Sequence, residues 1–255
     1  MNSTNRRISL VSAVLSAMLL ASGCSTLPET GRNTIPPLRT YEDVVKKEGG
    51  PRLLEVSDSI EGFNRGAYRF NYNFDKYFFI PVVRTYEFIL PDYVEDRVSN
   101  AIDNIGEFGN LTNNLFQLKF KDAGITLSRF AINTTIGIAG LWDPATSFGL
   151  ERQDEDFGQT LGHYGTGNGS YIVLPIAGPS NVRDTSGLIV DSAIFSFVGP
   201  SAWVDDRGIS MAYGGTRAVD KRHRVPFRYH QTGSPFEYEL LRTLYTMKRD
   251  FDIAN

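Results

Sequence analysis

The chain has 255 residues, of which 41% are hydrophobic and 22% charged, with a formal charge of -3, one cysteine and three histidines. A mildly acidic balance gives no electrostatic footprint for nucleic acid, and a single cysteine excludes an intramolecular disulfide framework. The length suits one substantial core and one main domain.

In chain order, Arg6 and Arg7 precede an uncharged apolar run from Ile8 to Leu20, followed by Ala21, Ser22, Gly23 and Cys24. This is the order of an export signal, and the apolar run is short for a membrane-spanning helix, which takes ~20 residues. An exported protein has little use for a free thiol, and small residues before the cysteine suit cleavage at a lipidated sulfur. The segment resembles the leader of bacterial lipoproteins. That resemblance implies a signal peptide over residues 1–23, acyl chains on Cys24 and, with Ser25 rather than Asp next, residence in the outer membrane. Several acyl chains anchor stably, since each buried CH₂ contributes ~0.8 kcal/mol. A secreted protein cleaved elsewhere is the alternative. Loss of residues 1–23 removes two arginines and no acid, taking the charge from -3 to -5.

Residues 24–56 carry Ile35-Pro36-Pro37 and Gly49-Gly50-Pro51 and read as a lipid-anchored flexible tether, with a short helical turn over residues 41–47. Residues 57–255 read as a helical domain. Asp58 and Glu61 have the spacing of a capping box, and Ile60, Phe63, Ala67, Phe70 and Phe74 recur at helical spacing up to a boundary at Pro81. Pro91 opens a second helix through Val94, Val98, Ala101, Ile102 and Ile105, with Gly106 as its stop. Leu111, Leu115 and Leu118 mark a third, and Asp122 caps a fourth in which Leu127, Phe130, Ala131 and Thr134 widen an apolar surface.

No charge occurs from Phe130 to Trp142, a segment too short to span a bilayer but suited to burial or an interface. Glycine and proline between Phe157 and Val182 predict a close-packed loop with one short extended piece. Leu188, Ile189, Ala193 and Ile194 form another helical face. A weaker helix covers residues 206–222, where Gly214 and Gly215 permit close approach of a neighbour. The last helix has Ser234 as N-cap, Pro235 at N1 and Glu237 at N3, with Phe236, Leu240, Leu244 and Met247 as its apolar stripe. No segment shows the sustained alternation of a transmembrane β-barrel.

The residues offer no metal or catalytic constellation and imply no cofactor. His163, His223 and His230 form no HExxH pair, and no GxSxG elbow occurs. His163 between glycines reads as a loop histidine sooner than a catalyst. Glu151, Glu155 and Asp156 have the chemistry of an acid and base pair, but read as a solvated acidic loop sooner than as that pair. Gly162, Gly165, Gly167 and Gly169 lack the Lys-Ser or Lys-Thr of a nucleotide loop. The chain reads as a non-enzyme.

Residues 60–76, Ile-Glu-Gly-Phe-Asn-Arg-Gly-Ala-Tyr-Arg-Phe-Asn-Tyr-Asn-Phe-Asp-Lys, resemble the MlaA family, also called VacJ, of outer-membrane phospholipid-transport lipoproteins. The likeness continues through Asn110 to Phe120, Arg129 to Asp143, Phe157 to Gly167 and Tyr171 to Asp184. It implies an all-α fold: a curved, ring-like assembly of amphipathic helices in the periplasmic leaflet, with glycine-rich loops and a central channel. Phospholipid mislocalised to the outer leaflet would enter that channel and pass to a soluble periplasmic carrier. An inner-membrane ATP-driven complex would receive it, and a trimeric porin would be a neighbour. The resemblance makes Phe63, Asn64, Arg65, Tyr68, Phe70 and Asn71 the signature helix. Phe130, Asn133, Ile136, Gly137 and Leu141 become candidates for the channel or its wall, and Gly137 and Gly140 for joints or tight packing. A scaffolding lipoprotein with a filled interior and a periplasmic hydrolase using His163 or the acidic loop are the alternatives.

Overall fold

The computed structural model describes residues 56–197, 199, 202, 206–231 and 233–254. The expected signal peptide, Cys24 and the tether up to residue 55 lie outside the described residues.

Helix α1 (Glu61–Phe74), one π-helical turn (Asp75–Phe79) and α2 (Ile80–Ile89) follow one another without a break. The expected boundary at Pro81 is therefore not an end. Proline lacks an N–H and its ring crowds the carbonyl four residues back, and the wide turn spans that carbonyl, Tyr77. Nor does Asp58 cap α1. Its carboxylate instead accepts from Asn64, Tyr238 and Arg242.

Helix α3 (Asp92–Phe116) runs through Gly106 and unites the second and third predicted helices. A mid-helix glycine costs about 1 kcal/mol, which the packed row of Glu107, Asn110, Asn113 and Asn114 beyond it offsets. Leu118, at φ 60, turns the chain into α4 (Phe120–Thr135), which packs along α3. Lys119 rather than Asp122 occupies the N-cap of α4, and Asp122 sits in the first turn, where a carboxylate suits the helix dipole. Short α5 (Pro144–Ser147) is capped by Asp143.

The segment expected to be mostly loop is more regular. Helix α6 (Phe157–His163) is capped by Asp156, which accepts from the Gln159 N–H. Strands β1 (Tyr171–Leu174) and β2 (Gly178–Asn181) form an antiparallel hairpin with Tyr171 opposite Asn181. Helix α7 (Val182–Phe197) leaves β2 directly and crosses α6. At that crossing a Cβ on Gly187 would lie 2.3 Å from the Gly158 nitrogen, so only glycine fits. Gly214 and Gly215 have no such neighbour: a Cβ at either meets nothing within 4 Å. They lie in α8 (Arg207–Arg224), capped by Asp206, and α9 (Glu237–Ala254) closes the described chain. The fold is helical apart from the hairpin. Among the described residues no helix is long and apolar enough to cross a membrane.

The interior is inverted. A small aromatic core of Ala67, Tyr68, Tyr171, Val173 and Tyr238 is buried, but most other buried side chains are Asn, Asp, Glu, Gln, Thr or Arg. Phe88 is 90% exposed, Phe197 82% and Met211 77%. The apolar stripes read from the sequence point outward. Phe63 and Phe70 of α1 are exposed while Asn64 and Asn71 are buried, and Phe236 just before α9 and Leu240, Leu244 and Met247 on it are exposed while Thr246 and Arg249 are buried. Helical spacing finds an apolar face without saying which medium it meets.

Candidate functional site

The signature helix works through its polar residues. Asn64 and Asn71 lie two turns apart on one face of α1, and each grips the β1–β2 hairpin through both ends of its amide. Asn64 donates to the Tyr171 carbonyl at 2.9 Å and accepts from the Val173 N–H at 2.8 Å. Asn71 donates to the Leu174 carbonyl at 2.9 Å and accepts from the Ile176 N–H at 2.7 Å. Tyr68, between them, donates to Glu237 of α9, and burial together with that carboxylate pushes its phenol well above the usual range. Arg65 pairs with Glu61 and Glu239 and lies over the Tyr238 ring. Phe63 and Phe70 take no part in this joint and face outward; Phe70 stacks on Phe74, which stacks on Phe78.

A second network sits between α3 and α4. Arg129 donates to Glu107 at 2.8 Å, Asp143 at 2.8 Å and Thr146 at 2.9 Å, and to the Leu150 carbonyl. Asn133 donates to Asp143 and accepts from the Ala145 N–H. Burial pushes the Asp143 carboxyl up, but bonds from Thr146, Arg129 and Asn133 outweigh it and hold the pKa below the usual carboxylate range. Along α3 the ladder continues from Glu107 to Asn110, and from Asn113 to Asp191 and Thr160. A third cluster joins α6, α7 and α9, where Arg249 is bidentate to both Asp156 and Asp184.

These networks brace a strained turn at the end of α4. Ile138, Ala139 and Gly140 have φ of 51, 57 and 84, a left-handed run that costs ~1–2 kcal/mol for each residue bearing a Cβ. The run is held by the Ala139 N–H on the Thr134 carbonyl and the Gly140 N–H on the Asn133 carbonyl. Arg97 and Asn100 of α3 both donate to the Leu141 carbonyl. A Cβ on Gly140 would meet the Asn104 side chain at 2.5 Å, and one on Gly137 the Trp142 carbonyl at 2.3 Å. The five candidate channel residues thus divide. Asn133 and Gly137 are buried in the architecture of the turn, Phe130 and Ile136 are exposed, and Leu141 is half-buried.

The other expected candidates are not brought together. His163 is exposed beside Tyr164, His223 lies between Glu87 and Glu95, and the His230 N–H donates to Glu237. Glu155 binds Gln117 and Lys119, Asp156 serves as cap and Arg249 partner, and Glu151 is exposed. Among the described residues no three His, Cys, Asp or Glu converge as a metal site. Sequence reasoning missed Glu107, Asp184 and Arg249. The first was visible as part of a polar row at helical spacing on α3; for the Asp184 and Arg249 pair no local signal exists.

Residues 56–252 match the family model described as MlaA lipoprotein. An uncharacterized protein of Rickettsia prowazekii is 42% identical over 156 residues, 60% of this chain and 62% of the relative. A Rickettsia typhi protein is 38% identical and covered to the same 62%, so the chain spans under two thirds of the length of these curated relatives. The intermembrane phospholipid transport system lipoprotein MlaA of Haemophilus influenzae is 34% identical over 67% of this chain and 68% of its own. A solved structure, from work on the structural basis for maintenance of bacterial outer membrane lipid asymmetry, matches 78% of this chain and 100% of its own with TM-score 0.63 and 30% identity. The chain belongs to the MlaA lipoprotein family.

Proposed function

We propose that this protein removes mislocalised phospholipid from the outer leaflet of the outer membrane and passes it to a soluble periplasmic carrier, so maintaining lipid asymmetry. The observation that carries the reading is the inverted interior. In water, each large side chain left outside forgoes ~1.5–3 kcal/mol of burial, whereas in acyl chains the same face is at home. Polar side chains must then be satisfied internally, which the Asn, Asp, Glu and Arg networks achieve. With no spanning helix among the described residues, the helices would lie in the periplasmic leaflet, held there by acyl chains on Cys24 after removal of residues 1–23. Residues 24–56 would be the tether, and residues 57–255 the lipid-handling domain.

In this reading the helices curve around a central channel, with Phe130, Ile136 and Leu141 meeting lipid and Asn133 and Gly137 shaping the turn that carries them. Moving a lipid forms no covalent bond, so the role needs no catalyst or cofactor. An inner-membrane ATP-driven complex would drive transfer beyond the carrier, and a trimeric porin would be the outer-membrane neighbour. The resemblance of the chain to named phospholipid-transport lipoproteins supports this reading. Deleting the gene is expected to expose phospholipid at the cell surface to added phospholipase, with rescue by the wild-type chain but not by Cys24→Ala. Surface phospholipid that stays at the wild-type level after deletion contradicts the proposal.

A further inference from the structure

A cavity of about 300 Å³ lies where α2 meets the end of α8 and the loop after it, lined by Ile80, Val83, Arg84, Glu87, Arg222 and Arg228. Three separate segments bring guanidinium groups to one space, and the charges there do not balance. Arg222 is bidentate to Asp75, at 2.5 and 2.8 Å, and Glu87 is bonded to His223. Arg84 has no hydrogen bond or ion pair among the described residues, and Arg228 donates only to carbonyls among them. Three arginines therefore face two carboxylates that are already engaged.

The arrangement is built rather than accidental crowding. Arg222 and Arg228 share the same two acceptors, the Val225 and Phe227 carbonyls, which fix both guanidiniums side by side against their mutual repulsion. Holding like charges together costs free energy unless an anion joins them, and planar guanidiniums match the geometry of phosphate oxygens. The floor is apolar: Val83 is 4% exposed, and Ile80 lines the same cavity. On the same helix Phe88 and Ile89 are exposed, so a polar anion-sized space opens beside a face suited to acyl chains.

We propose that this cavity binds the phosphate of an anionic glycerophospholipid head group and gives the protein a preference for anionic over zwitterionic lipid. The inference rests on the lipid-transport reading and deepens it. A singly charged phosphodiester neutralises the excess guanidinium charge, whereas the ammonium of a zwitterionic head group would sit among arginines. Arg84 and Arg228 supply the selective charge. Arg222 positions it, being tied to Asp75.

The test uses the full lipidated chain in detergent, titrated separately with short-chain phosphatidylglycerol, short-chain phosphatidylethanolamine and inorganic phosphate. The expected result is binding of phosphatidylglycerol about tenfold tighter than phosphatidylethanolamine. That preference disappears in the Arg84→Gln, Arg228→Gln double variant and survives in the Arg84→Lys, Arg228→Lys pair. The single Arg84→Gln variant, which orphans no partner, loses about threefold and guards against misfolding of the double variant. Equal affinity for both lipids, or a preference that persists in both Gln variants, overturns the head-group site. Inorganic phosphate binding as tightly as phosphatidylglycerol also overturns it, by making the cavity a free-phosphate site. Binding is read apart from transfer: loss of selectivity with lipid transfer intact removes this site and leaves the transport reading standing.

Discussion

Replacing Arg129 by methionine is expected to destabilise the domain by about 3–5 kcal/mol, because it strands a buried charge. Arg129 and Glu107 are 3% and 1% exposed as side chains, so water cannot substitute for the lost partner. Thr146, the Leu150 carbonyl and Asp143 lose a donor at the same time. The check is the thermal unfolding midpoint of the purified chain in detergent. Adding Glu107→Gln to Arg129→Met removes the stranded charge and is expected to recover a large part of the loss, which simple cavity formation would not allow.

The same network carries a pH signature. Because the Asp143 pKa is held below its usual value of 3.8 in the folded protein, its bonds stabilise the fold fully above that value. The contribution is lost as pH falls through the depressed folded pKa. Acid below about pH 4 should therefore cost the wild type stability through Asp143 that the Arg129→Met variant has already partly lost. The stability of the variant should fall less steeply over that window.

The second large effect is expected at Asn64, which is fully buried. Asn64→Leu keeps the volume close but leaves the Val173 N–H, the Tyr171 carbonyl and Asp58 each without one partner. At ~1–3 kcal/mol for each unsatisfied buried group, the loss is about 3 kcal/mol or more. Amide exchange at Val173 reports it directly, since that buried N–H donates to Asn64 at 2.8 Å, and its protection should collapse before that of α3. Asn64→Asp is expected to be worse, placing a carboxylate against Asp58 and the Tyr171 carbonyl. By contrast Phe63→Ser, one residue away on the outward face, should leave the midpoint in detergent within ~0.5 kcal/mol.

The contrast between Asn64 and Phe63 shows what could be read from the chain and what could not. The helical spacing of Phe63, Phe70 and Phe74, and of Leu240, Leu244 and Met247, marked the faces correctly. Their direction was hidden, because the apolar stripe of a helix beside acyl chains and that of a helix in water look alike in sequence. Pro81 and Gly106 misled for a local reason: each is a genuine breaker by propensity, overridden by a π turn in one case and by a packed polar row in the other. The glycine-rich stretch after Phe157 concealed α6 because Gly158 serves the crossing with Gly187, a contact between residues distant in the chain. The pairing of Arg249 with Asp156 and Asp184 spans 93 and 65 positions, and nothing local announces it. The signature asparagines were found by resemblance. Only the structure gives their reason, two amides gripping one hairpin.

In the proposed reading, outward Ile136 at the end of α4, outward Ile138 of the left-handed turn and the adjoining Leu141 are where the chain would touch its cargo. Photo-crosslinking probes placed one at a time along residues 132–141 and 171–176 of the anchored protein in cells, followed by mass spectrometry of the captured adducts, test this most directly. Phospholipid adducts are the expected result, strongest at Ile136, Ile138 and Leu141 and weak at Asn133, whose amide is engaged with Asp143 and Ala145. Correctly anchored protein that captures no phospholipid at any of these positions would contradict passage of lipid through this fold.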